Sequence, residues 1–266
     1  MARRKPRAGG KKPANAANIA VASANARPAT AANARLPWLD ALRGGAVLAM
    51  IAYHFGYDLN FLGWLHQDIN HDQRWMAART LILGTFLLTV GASLALRWRR
   101  IGKIAAAAAL VSAGSWLLFP QSAIWFGTLH AIAVMSLILL LLPLGALRSP
   151  APAALSIILG LGALALGNTY ANALFDQPAL AWIGLMTYKP LTEDYVPLLP
   201  WFGVCLIGYG AMQALLRKGL MQRPQPGRNL PALLFWTGRH SLAIYLLHQP
   251  ILLGVLIPAT HWLKPA

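Results

Sequence analysis

The chain has 266 residues, of which 57% are apolar and only 11% charged, against about 25% charged in a usual soluble domain. So few charges cannot cover a globule of this size with solvated side chains, and bilayer is the expected solvent. The net charge of +16 would alone suggest nucleic acid, but Lys and Arg fall in short clusters between apolar runs. That pattern speaks against a nucleic-acid partner and for a basic cytoplasmic skirt.

Residues 1–34 are rich in Ala, Asn, Lys and Arg and lack the apolar core of a cleavable signal peptide. They are expected to be a disordered basic cytoplasmic tail, with polybasic contact to anionic lipid as the sharper alternative. Residues 35–266 read as one transmembrane domain. Spanning a bilayer takes about 20 apolar residues in helix, and seven candidates follow in order: Leu36–Gly56, Trp75–Leu96, Ile101–Phe119, Leu129–Leu147, Ala153–Gly167, Trp201–Leu216 and Leu233–Ile257. Helix is expected over strand because backbone amides in lipid must be paired within the segment. The fold class is therefore an all-α polytopic helix bundle. The single cysteine, Cys205, lies inside the sixth run and excludes an internal disulfide framework and a Cys-based zinc site. No metal site is expected.

Orientation follows from the basic residues. With the N-terminus in the cytoplasm, seventeen of the 23 Lys and Arg fall on the cytoplasmic side, and only Arg74, Lys189 and Lys264 fall outside. The C-terminus is then outside. Six of the seven acids lie in or beside outer loops. One such loop, about 57–74, holds Asp58, His66, Asp68, His71 and Asp72. Another, about 168–200, holds Asp176, Glu193 and Asp194.

Ionisable groups inside a span are costly and usually face the bundle interior. In the first helix, Arg43 and His54 are eleven residues apart, about 1100° of rotation, which puts them on one face about 16 Å apart along the axis. Asp40 lies one turn before Arg43, and Asp58 four residues after His54, each within reach of its neighbour. Gly44 and Gly45 would let a backbone or a ligand come close. Arginine at the cytoplasmic end suits phosphate groups, and a histidine with a carboxylate partner suits a general base. The plainer alternative is a snorkelling Arg43 and a hydrogen-bonded core His54. The last helix carries a second stripe, Ser241, Tyr245 and His248, which could equally serve helix–helix hydrogen bonding. His130 opens the fourth span as either a packing or a cavity residue, and His66 and His71 are loop histidines. There is no phosphate-cradling Gly-rich motif followed by Lys, and nothing in the histidine spacing favours haem.

The segment from Leu39 to His54, with ten residues between Arg43 and His54, resembles the opening helix of the transmembrane acyltransferase superfamily. The run Phe55-Gly-Tyr-Asp58-Leu resembles its bacterial branch, which is similar to the heparan-α-glucosaminide N-acetyltransferase catalytic domain. Phe126-Gly-Thr-Leu-His130, Asp194-Tyr-Val-Pro-Leu-Leu-Pro-Trp201 and Gly238-Arg-His-Ser241-Leu-Ala-Ile-Tyr245-Leu-Leu-His248-Gln-Pro250 extend the match over residues 35–258. The resemblance implies an enzyme of the bacterial inner membrane that moves an acyl group, usually acetyl, from acyl-CoA (here acetyl-CoA) to a hydroxyl or amine of a sugar or glycan on the far side. It implies catalysis by His54, helped by Asp58, with donor binding by Arg43. His66 corresponds loosely to a catalytic loop histidine of lysosomal relatives. His130, Tyr245 and His248 are expected to line the cavity and contact the donor. Relatives have ten or eleven spans against seven here, which leaves open whether a homo-oligomer completes the donor tunnel. A proton-coupled transporter or flippase using the same buried charges is the alternative, and a non-catalytic scaffold a third.

Overall fold

The computed structural model describes residues 36–93, 97–142, 151–218 and 231–263. The basic tail and the expected span ends at Leu96 and Leu147 lie outside them. The described residues form eight α-helices: α1 Pro37–Phe61, α2 Gln73–Ala92, α3 Trp98–Leu118, α4 Thr128–Leu141, α5 Ala151–Thr169, α6 Leu198–Arg217, α7 Ala232–Arg239 and α8 Ser241–Leu263. Short 3-10 turns occupy the loops before α4 and between α5 and α6.

Local chemistry explains the helix ends. Pro37 opens α1, where a missing N–H costs nothing, and Gly63 leaves it in the left-handed region at φ 73°. The carboxylate of Asp72 caps α2, accepting from the Arg74 N–H at 2.7 Å. Five helices, α2, α3, α5, α6 and α8, are long and apolar enough to cross a membrane. Large apolar side chains such as Leu110, Leu117, Ile158 and Val255 stay exposed along them, as lipid-facing surfaces require. The chain is thus a multi-pass membrane protein. α1 has the length but carries Asp40, Arg43 and Asp58, and α4 has only 14 residues.

The last expected span, Leu233–Ile257, is not one helix. It breaks at His240, which leaves helical geometry at φ −103°, ψ 17°. The Thr237 hydroxyl donates back to the carbonyls of Leu233 and Leu234, and the His240 Nδ1–H donates to the Trp236 carbonyl. These side-chain bonds compete with the backbone ladder that would have continued α7 into α8.

α5 packs on α6, α6 on α2, α2 on α1, and α1 on both α7 and α8. Small residues set these distances. A Cβ on Gly203 would press the Gly160 carbonyl, and one on Gly160 would press the Gly203 carbonyl, so α5 and α6 meet backbone to backbone. The same device joins α1 to α7. A Cβ on Gly44 would run into the Leu234 carbonyl oxygen, and one on Gly238 into that of Asp40. The main core gathers Leu87, Leu129, Met135, Cys205 and Tyr209 from α2, α4 and α6.

Loops sort to two ends of the bundle. At one end the 120–127 segment is tied to 192–196. Glu193 N–H donates to the Ser122 carbonyl, the Ser122 hydroxyl donates to Glu193, and Val196 N–H donates to Phe126. Trp64 Nε1–H donates to Thr260 Oγ1 at 2.8 Å, fixing the α1–α2 loop to the end of α8. The α2–α3 connection and the α7–α8 break lie at the other.

Candidate active site

The expected polar face of α1 turns inward. Asp40, Val47, Met50 and Asp58, which share it, are all buried. Its middle is apolar: Val47 and Met50 pack with Ala46 and Phe86, and against Ile244 and Tyr245 of α8. The polar ends are therefore separated by an apolar plug, and they differ in character.

At the end nearer the α2–α3 connection, Arg43 Nη1–H donates to Asp40 at 3.3 Å and Nη2–H to the Thr89 carbonyl of α2 at 3.4 Å. Arg239 approaches the second Asp40 oxygen at 3.8 Å. Arg43 is 12% exposed and Arg239 51%. Arg43 thus pairs with Asp40 as the spacing predicts, but it also ties α1 to α2, while Asp40 reaches α7 through Arg239. A backbone, that of α7, takes the space that Gly44 leaves.

At the opposite end, α1 meets α8. The rings of His54 and His248 lie with centroids 4.9 Å apart, flanked by Tyr53 at 5.9 Å from His54 and Tyr245 at 5.7 Å from His248. His248 Nδ1–H donates to the Tyr245 carbonyl at 2.7 Å. Asp58, 2% exposed, accepts from Gln249 Nε2–H at 2.7 Å. This corrects the expected Asp58–His54 pair: among the described residues no hydrogen bond joins them, because α8 brings the amide of Gln249 to the carboxylate first. Three buried atoms here have no hydrogen-bond partner: Asp58 Oδ2, Gln249 Oε1 and His248 Nε2. A buried acceptor without a donor is costly, so such atoms in a folded protein call for an explanation, often a ligand or a proton.

A further network reaches this cluster from the loop before α6. Asp194 accepts from the Thr128 N–H at 2.7 Å and hydroxyl at 3.3 Å, and from the Tyr245 hydroxyl at 3.3 Å. It sits at the N-terminus of α4, where a carboxylate is favoured. Burial raises its carboxyl above the ordinary range, while the Thr128 and Tyr245 bonds and nearby His130 pull the other way. Next to it, burial pushes the Tyr195 phenol up to about 12 while its hydroxyl donates to the Ala181 carbonyl.

His130 is bound on both sides. The Gly127 N–H donates to Nδ1 at 3.3 Å, so Nε2 carries the proton and donates to Ser112 Oγ at 3.1 Å, whose hydroxyl donates to the Ile124 carbonyl. It is a structural strut between α3 and α4. His66 is exposed in the α1–α2 loop and makes no hydrogen bond among the described residues; the structure does not bring it to the His54 cluster. A groove of about 580 Å³ runs along α1, α2 and α7, lined by Leu42, Gly45, Ala49, Leu81, Thr85 and Leu234 among others. It lies on the other side of α1 from Arg43 and His54, and neither lines it.

Thus His54, Tyr245 and His248 come together, with Asp58 one turn away, while Arg43, His130 and His66 lie apart from them. Gln249 and Asp194 join the cluster without having been singled out as site residues. For Gln249 the one signal was its place next to His248. For Asp194 it was the Asp-Tyr-Val-Pro run.

Fold and site define a polytopic α-helical membrane protein with a histidine pair between the first and last described helices. The catalytic-domain model of heparan-alpha-glucosaminide N-acetyltransferase matches residues 35–250. The chain belongs to that family, an acetyltransferase family. No curated protein and no solved structure matches it.

Proposed function

We propose that this protein is a membrane acetyltransferase that takes an acetyl group from acetyl-CoA and passes it to a hydroxyl or amine of a sugar or glycan on the periplasmic side of a bacterial inner membrane. The reading keeps seven crossings, α1 to α6 and α8, with the N-terminus in the cytoplasm and α7 as a short helix at the inner end. Its reacting centre is the His54–His248 pair. The observation that carries it is the 4.9 Å contact between these rings, together with the family match over residues 35–250. A pair of imidazoles among Tyr53, Tyr245 and Asp58 is equipped for proton transfer, the help that acyl transfer to a sugar hydroxyl or amine needs.

Because Arg43 is held by Asp40 and the Thr89 carbonyl, its part in binding the donor is indirect. Arg239, half exposed at the same end, and the basic run Arg97, Arg99, Arg100 and Lys103 suit the donor's phosphates better. The acetyl group then has to pass the plug of Val47, Met50 and Phe86 to reach His54, which requires the plug side chains to move.

The test uses the purified protein with radiolabelled acetyl-CoA, scoring CoA release and label on a sugar acceptor. Turnover is expected, and His54→Ala should lower it by about a hundredfold, the loss expected when the reacting groups beside His248 are misplaced. Wild-type turnover in His54→Ala would remove His54 from the chemistry. Substrate-driven proton flux without CoA release would replace the enzyme by a transporter.

A further inference from the structure

Four histidines lie within the described helices; His261 is exposed near the end of α8, and the ring nitrogens of His54, His130 and His248 are used differently. His130 is bonded at both nitrogens. His54 makes no hydrogen bond among the described residues and is held by ring contacts alone. His248 is bonded at one nitrogen only, and that bond fixes its tautomer. A carbonyl oxygen can only accept, so the 2.7 Å contact between His248 Nδ1 and the Tyr245 carbonyl requires the proton on Nδ1. The remaining nitrogen, Nε2, is then a bare lone pair. It is buried and has no hydrogen-bond partner, on a residue 9% exposed whose ring centroid lies 4.9 Å from that of His54.

We infer that His248, not His54, is the proton acceptor of the transfer, with the Tyr245 carbonyl as the group that holds it in its basic tautomer. This rests on the acetyltransferase reading and deepens it. The step balances as follows. The oxygen or nitrogen of the sugar acceptor attacks the thioester carbonyl carbon. The new C–O or C–N bond forms as the C–S bond breaks. The acceptor's proton passes to His248 Nε2, and the CoA thiolate leaves and takes a proton from the imidazolium or from solvent. His54, unbonded at its ring and in contact with His248, is left to orient the acyl group or the acceptor. Gln249, next in the chain, draws the Asp58 carboxylate to the same helix contact. The arrangement parallels a general principle of acid–base sites: one nitrogen is anchored so that the other is presented.

The experiment compares His248→Asn and His248→Ala with the intact wild-type protein, in one detergent, with acetyl-CoA and a sugar acceptor. Asparagine can still donate its side-chain amide to the Tyr245 carbonyl but offers no basic nitrogen. It is expected to keep the wild-type melting temperature and the KM for acetyl-CoA while kcat falls by about 10²–10⁴-fold. Alanine opens space beside His54, and added imidazole is expected to restore part of its kcat in proportion to the imidazole free base. An Asn variant with kcat within threefold of wild type would overturn the inference. So would an Ala variant that is folded and inactive but indifferent to imidazole. If Ala fails to fold, the Asn result alone decides. An inactive wild-type protein would instead sink the acetyltransferase reading. The ring-nitrogen signals of labelled His248 would then still report whether Nδ1 carries the proton, as the geometry requires.

Discussion

The two ends of α1 are built from similar residues and solve opposite problems. At one end Asp40 and Arg43 meet Arg239 and the Thr89 carbonyl, and Gly44 and Gly238 bring α7 into backbone contact. At the other end His54 and Asp58 meet His248 and Gln249, and three buried acceptor atoms stay without donors. A buried charge with good partners ties helices together; buried acceptors without partners lower stability and are kept where something else is to bind. The same face of one helix therefore carries a fastening at one end and a site at the other, with Val47, Met50 and Phe86 sealing the space between.

The comparison predicts where mutations hurt folding and where they hurt only activity. The largest loss of stability is expected for Arg43→Ala, which removes the shorter of the two ion pairs that Asp40 makes among the described residues, the other being to half-exposed Arg239 at 3.8 Å. The cost should be about 3 kcal/mol, the lower part of the range for breaking a buried pair, read as a large drop in melting temperature in detergent. Asp58→Asn, at the other end of the helix, should melt close to wild type, because an amide can still accept from Gln249. Equal losses in both variants would erase the distinction between the two ends. Next comes Gly44→Ala. Its methyl would meet the Leu234 carbonyl and the Thr237 hydroxyl, and forcing α7 away should cost about 1–3 kcal/mol. A melting temperature unchanged by Gly44→Ala would show that α7 is not pressed against α1.

Much of this was legible in the sequence, and what was not has physical reasons. Helical period and the expense of charge in lipid put Arg43 and His54 on one inward face, and the buried Asp40, Val47 and Asp58 bear that out. The Asp40–Arg43 pair is a local contact, three residues apart, and periodicity finds such pairs. Asp58 had an equally good local partner in His54, yet its bond goes to Gln249, 191 residues away in the chain; which of two reachable partners wins depends on how α8 crosses α1, and no spacing rule carries that. The break at His240 was hidden because residues 233–257 are apolar enough to read as one span, and hydropathy does not show the Thr237 and His240 side-chain bonds that compete with the helix ladder there. Asp194 looked like a loop acid. It became part of the cluster because its loop is drawn down onto the start of α4, a tertiary event tied by Thr192, Glu193 and Val196. His66 illustrates the limit of a motif match through a loop: the residue type is there, but the loop leaves it in solvent.

A smaller effect concerns Asp194. Burial raises its carboxyl above the ordinary carboxylate range, so the fold favours its protonated form relative to the unfolded chain. Its contribution to stability is then fullest below the unfolded pKa of about 3.9 and is lost as pH rises through the raised folded value. Asparagine at 194 keeps an acceptor for the Thr128 N–H and cannot titrate. Melting temperature followed from acid to neutral pH should therefore decline less in Asp194→Asn than in wild type. Parallel curves would mean that the carboxyl is not held in its buried position by Thr128 and Tyr245.

The smallest effect separates two adjacent glycines. Gly44 faces α7, but a Cβ on Gly45 meets nothing within 4 Å, since Gly45 lines the groove beside Leu42 and Ala49. In the protein as described, Gly45→Ala gains helix propensity and should raise stability, by up to about 1 kcal/mol. Position 45 points away from the Asp40–Arg43 fastening and from the histidine pair alike, so turnover should stay at the wild-type level. Should Gly45→Ala instead lower the melting temperature as much as Gly44→Ala, the groove must be filled in the membrane-embedded protein. The division of α1 into an inward working face and a free outward one would then have to be redrawn.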